Sequence, residues 1–66
     1  MLTKAFIEKV HMAPFVDTRK YRYRVRTRYG GIFDDAPWNV IERIPLKDLD
    51  TTEAFLPWEE VWSSDD

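Results

Sequence analysis

The chain has 66 residues, a net charge of −2 and no cysteine. That is enough for one domain, near the lower limit at which an apolar core alone holds a fold, and it excludes disulfides or a thiolate metal site as a staple. Uninterrupted apolar runs reach only three residues, as in Ala5-Phe6-Ile7, so nothing here can span a bilayer or form the core of a secretory signal. The missing cysteines fit a reducing compartment, and the expectation is a soluble, cytoplasmic protein. Three Trp, three Tyr and four Phe supply the large buried area per residue that so small a domain needs.

The small net charge hides a strong asymmetry. Residues 1–32 carry eight Lys and Arg against Glu8 and Asp17, a net of +6, whereas residues 33–66 carry Arg43 and Lys47 against ten carboxylates, a net of −8. Such segregation implies either a polarised surface or two halves that attract each other.

Taken in chain order, residues 2–12 (LTKAFIEKVHM) mix two alternations and are expected to form a first strand, ended by Ala13-Pro14. The stretch APFVDT reads as a connection of hairpin length. Residues 19–29 form the second strand: period two, rich in Tyr, Val and Thr, stopped by Gly30-Gly31. GGIFDDAP is a loop. Over 38–46 (WNVIERIPL), β-branching at Val40, Ile41 and Ile44 favours a strand, although Asp35 and Pro37 could also open a short helix. Asp50 and Glu53 have capping-box spacing, and Pro57 limits the turn they open. Pro57 then suits the first turn of a short helix, PWEEVW, with Trp58, Val61 and Trp62 on one face. Residues 63–66 read as a frayed polar tail.

These elements predict a single β-rich α+β domain over 1–66. Its core would be an antiparallel sheet of two or three strands, one face covered by the short aromatic-rich C-terminal helix. Tyr21, Tyr23, Val25 and Tyr29 would form the covered face of the second strand. Lys20, Arg22, Arg24, Arg26 and Arg28 would form a comb of cations on the other, and apolar groups on both faces of the neighbouring segment suggest that part of the comb's side is covered too.

Like charges two residues apart on a strand lie roughly 6.5–7 Å from each other, within the Debye length at physiological salt, so five in a row need negative charge nearby. Glu8 and Glu42 on neighbouring strands and the acidic second half could provide it, and a cationic edge also discourages edge-to-edge aggregation. The functional alternative is a docking surface for phosphates or for an acidic protein. A strand sends its Arg and Tyr to opposite faces, which disfavours combined phosphate contact and base stacking, and a pI near 5.3 disfavours nucleic acid further.

Catalysis finds little support. The single histidine, His11, has no second histidine or cysteine with which to hold a metal, and no positioned nucleophile is evident. The pairs Asp34-Asp35, Glu59-Glu60 and Asp65-Asp66 diverge on a strand or a helix, calcium-loop spacing is absent, and Gly30-Gly31 lacks the pattern of a phosphate loop. The sequence therefore implies a non-enzyme without cofactor or metal.

Binding remains. Candidate partner-binding residues are the comb (Arg22, Arg24, Arg26, Arg28), the apolar-acidic loop (Ile32, Phe33, Asp34, Asp35) and the aromatic C-terminal segment (Trp58, Trp62). The leading expectation is a small interaction module that binds a larger protein and modulates it, most simply by blocking a surface. Small, charge-polarised chains of this kind are often accessory regulators, viral or mobile-element modulators among them. The alternatives are a nucleic-acid-binding module using the strand 20–28 and a structural or assembly subunit.

Overall fold

The computed structural model describes residues 2–30, 37–50 and 57–64. The chain opens with a helix, α1, at Lys4–His11. Four strands follow: β1 at Val16–Asp17, β2 at Tyr21–Arg28, β3 at Trp38–Pro45 and β4 at Glu59–Ser63, with a 3-10 turn at Leu46–Asp50. They form one antiparallel sheet in the order β1-β2-β3-β4, so each strand lies beside its neighbour in sequence. Among the described residues no helix is long and apolar enough to cross a membrane.

The expected first strand at 2–12 is thus a helix, for reasons present in the sequence. Thr3 is its N-cap: the hydroxyl accepts the Phe6 N–H at 3.1 Å, satisfying a donor that the first helical turn leaves orphaned. Leu2, Phe6 and Val10 recur every four residues, with Ile7 beside them, and this stripe packs onto the sheet. Lys9 and His11 occupy the last turn, where cations favour the helix dipole. The Met12 N–H closes on the Lys9 carbonyl, and Pro14 follows two residues later.

The expected C-terminal helix is a strand. A six-residue helix is marginal in water, whereas Glu59–Ser63, as β4, pair with the outer edge of β3 and set Trp62 opposite Ile41. The register slips between Ile41 and Glu42, and this bulge accounts for the shared side of Val61 and Trp62 in the apparent helical spacing. An extra residue in one strand lets two consecutive side chains reach the same side. Val61 and Trp62 accordingly both pack against the core, while Trp58 lies on the opposite face against Arg24. The expected two or three strands become four, because APFVDT also contributes the short strand β1. Of the expected strand at 38–46, Trp38–Pro45 do form a strand, β3, the most buried of the four, and Leu46 opens the 3-10 turn. The loop residues Ile32, Phe33, Asp34 and Asp35, and Glu53 of the capping box, lie outside the described residues. At the other end, Ser63 closes β4, and Ser64 exchanges hydrogen bonds with Asn39 through its N–H and its hydroxyl.

The main core lies between α1 and one face of the sheet. Val10, Val16, Tyr23 and Ile41 are buried there, and Phe6 meets Tyr23 edge-on at 4.8 Å between ring centres. Tyr21 and Val25 pack around them, but Tyr29, expected on the covered face, lies beyond the end of β2 and is 77% exposed. The opposite face is apolar as well along β3: Val40 and Ile44 are fully buried although they stand opposite Arg26 and Arg22.

Two substitutions test this layout by urea unfolding. Thr3→Ala removes only the cap and should lower stability by about 1 kcal/mol. Ile41→Ala empties a fully buried site and should cost about 2–5 kcal/mol, a large share of what a domain this small has. Equal midpoints for Ile41→Ala and the parent would show that the core lies elsewhere.

Candidate functional site: the cationic strand

β2 presents its even-numbered side chains on the face opposite α1, in register with Trp38, Val40, Glu42 and Ile44 of β3. The comb is therefore real as a row, but its members are not equivalent. Two carboxylates divide three of its cations. Asp17, next to Arg22 across the β1–β2 pair, receives a two-point bond from its Nε at 2.7 Å and its Nη2 at 3.0 Å. Glu42 takes the Arg24 Nε at 3.1 Å on one oxygen and the Arg28 Nη2 at 2.9 Å on the other. Among the described residues Glu42 is the only buried charged side chain, and both of its oxygens are used.

Aromatic faces hold the same cations. The Arg24 guanidinium sits 3.8 Å from the centre of the Trp58 ring, and that of Arg22 lies 5.1 Å from Phe15. Arg24 is thereby clamped between a carboxylate and an indole. Arg28 reaches back toward Glu42 but keeps half of its side chain in solvent. Arg26, between them in sequence, is exposed and has no carboxylate partner among the described residues.

Glu8, expected beside the comb, belongs to α1, on the other side of the sheet, and is exposed there. Trp58 and Trp62 are expected on one surface, whereas the structure separates them. Trp58 lies with the comb, and Trp62 packs under α1, its ring 5.7 Å from that of His11 and edge-on to it. His11 Nδ1 lies 2.7 Å from the Ile7 carbonyl, which can only accept, so that nitrogen carries a proton. The histidine is thus occupied as a cap on its own helix end. One polar group was missed altogether: Arg43, on the α1 side, bonds Glu59 at 3.0 Å and lies 4.2 Å from the Tyr21 ring centre. Its signal was available in the directly opposed charges of β3 and β4, but only once β4 was read as a strand.

Other concavities are shallow. One lies at the start of β2 among Arg19, Lys20, Tyr21, Pro45, Leu46 and Lys47, lined by three cations and no carboxylate. Among the described residues no three or more His, Asp or Glu side chains gather as a metal would require. No protein-family model matches the chain, no curated protein matches it, and no solved structure matches it.

The hydrogen bond from Arg22 holds the Asp17 carboxyl below its ordinary value, aided by the attraction of that charge and opposed by desolvation. A carboxylate whose folded value is depressed stabilises the fold above its unfolded value, and that contribution disappears as pH falls through the folded one. Melting curves from pH 7 down to about pH 2 should therefore show Asp17→Asn less stable than the parent near neutrality, with the gap closing in acid below about pH 4. A gap independent of pH would refute the pair's role.

Glu42 has the larger consequence. Removing a buried partner strands its counter-charges, so Glu42→Ala should destabilise by about 2–4 kcal/mol, less than a fully buried triad because Arg28 can rehydrate. Chemical unfolding of Glu42→Ala beside Arg26→Ala, expected within about 0.5 kcal/mol of the parent, reads this directly.

Proposed function

We propose that the protein is a small, non-catalytic module that binds a larger protein through the distal half of the comb and modulates that protein by covering part of its surface. The observation that carries this reading is the uneven neutralisation of β2. Arg22 is engaged by Asp17, and Arg24 and Arg28 are engaged by Glu42, whereas Arg26 stands exposed without a carboxylate among the described residues, with exposed Thr27, Arg28 and Tyr29 beside it. A row of like charges that is only partly compensated internally favours an anionic partner. Arg and Tyr are also residues that carry binding energy well, having large contact area and directional donors. The partner chemistry is an acidic protein surface. The clamping of Arg24 and Arg28 onto Glu42 leaves few free donors for a phosphate backbone, and the net charge of −2 works against long-range attraction of nucleic acid. A chain without cysteine suits the cytoplasm, where we place it.

Affinity capture from cells with the parent and with Arg26→Glu tests the reading. The substitution should leave the melting temperature level, since it touches no ion pair, and should abolish recovery of the partner. Arg24→Glu, by contrast, should melt early because it sets a second negative charge against Glu42. Undiminished capture by folded Arg26→Glu would overturn the assignment. Tight DNA or RNA binding that weakens steeply with salt, with a slope reduced by about one counterion in Arg26→Gln, would replace it with the nucleic-acid reading.

A further inference from the structure

β3 flanks β2 along its whole length, but β1 flanks only its beginning. The bonds at the start of β2 show which way its peptide groups point. The Tyr21 carbonyl accepts from the Thr18 N–H at 2.8 Å, on the β1 side, and the Lys20 carbonyl accepts from the Leu46 N–H at 2.8 Å, on the β3 side. Along a strand the N–H and C=O of each residue address one neighbour, and successive residues alternate. Odd-numbered residues of β2 therefore address the β1 side and even-numbered ones address β3.

β1 meets Tyr23 through Val16. In the same register the next outward-facing residue, Val25, would be served by Pro14, which has no N–H to give. Strand pairing stops there. The N–H and C=O groups of Val25 and Thr27 consequently face outward with no backbone partner among the described residues. Beside this open edge, on one face, stand Arg24, Arg26 and Arg28; on the other stand the half-buried Val25 and the exposed Thr27.

We infer that the open edge of β2 at Val25–Thr27 receives an extended segment of the partner protein as an added strand, with acidic side chains at alternate positions facing Arg26 and Arg28. β-Branched residues between them would face Val25 and Thr27. This inference rests on the protein-binding reading above and specifies its mode. Backbone bonds would supply affinity and the comb would supply selection, in the manner of strand addition generally. Arg26, which has no carboxylate partner among the described residues, decides the occupant: a carboxylate opposite it supplies what Glu42 supplies to Arg24 and Arg28. A second copy of the chain does not fit in a symmetric pair, because joining two β2 edges would set one comb against the other.

The probe is an end-capped synthetic peptide of about eight residues alternating Glu with Val and Thr, beside the same peptide with Lys for Glu. On the parent protein, the Glu peptide should protect the Val25 and Thr27 amides from hydrogen exchange, and the Lys peptide should not. Thr27→Pro removes an N–H that points away from β3, so it breaks no bond within the sheet and loses only the exposed Thr27–Asn39 side-chain contact. It should weaken the Glu peptide about five- to tenfold, and Arg26→Gln should weaken it similarly. Binding that Arg26→Gln weakens, but that Thr27→Pro leaves unchanged and that gives no protection at Val25 and Thr27, overturns strand addition while the protein-binding reading stands. No binding at ~1 mM peptide also overturns strand addition, and failed capture by the parent protein would be needed to remove the broader reading. Concentration-dependent self-association abolished by Thr27→Pro would reassign the edge to a second copy. Should Thr27→Pro melt early, the exchange pattern of the parent protein alone decides.

Discussion

Glu42 is the point on which the comb turns. A carboxylate in the middle of β3, nearly sealed from water, is costly unless both oxygens are engaged, and here each meets an arginine of β2. The arrangement ties the charge pattern of one strand to the register of the next. A slip of one residue between β2 and β3 would move Glu42 to the α1 side and leave Arg24 without its counter-ion. The ion pairs therefore act as a check on pairing, beyond whatever net stability they add. They also set the surface, because they consume Arg24 and Arg28 and leave Arg26 without a carboxylate among the described residues.

The sheet is buried on both faces where β3 runs. On the α1 side, Val10, Tyr23 and Ile41 make a conventional small core. On the comb side, Val40 and Ile44 are sealed beneath a face that also carries guanidinium groups. Arginine suits this double duty, since its stem covers apolar surface while its planar head stacks on an indole, as Arg24 does on Trp58. Lysine would supply the charge without the stacking.

How much of this was legible depended on how many signals agreed at each element. β2 was plain, because alternation, β-branching and a Gly-Gly stop all point the same way over 19–29. β3 was recognisable from Val40, Ile41 and Ile44 despite the competing helix signal of Pro37. α1 was not, because Phe6, Ile7 and Val10 satisfy a helical stripe and also broken alternation. The deciding residue, Thr3, is a cap whose force is visible only when the Phe6 N–H is seen to lack another acceptor. β4 misled for the opposite reason, since the shared side of Val61 and Trp62 looks helical but arises from a bulge, and a bulge is a property of two strands rather than of one segment. Within the candidate site, the comb and Glu42 could be read from the sequence. The sharing of one carboxylate between Arg24 and Arg28, and the parting of Trp58 from Trp62, needed the register.

Among the described residues the strand order is also the chain order, with no crossover in the sheet. Every ladder therefore closes between segments already near one another along the chain, and the entropic cost of loop closure stays small at each step. The β2–β3 pair can form first, bringing Arg24 to Glu42 before either end of the chain has docked. β1 with α1, and β4 with its bulge, can then be added from opposite sides, independently of each other. A sheet assembled in this way should fold quickly for a β-rich domain, since local pairing rather than long-range search sets the rate. It leaves little time for the edges that β1, β3 and β4 later cover to meet other chains before the fold is complete.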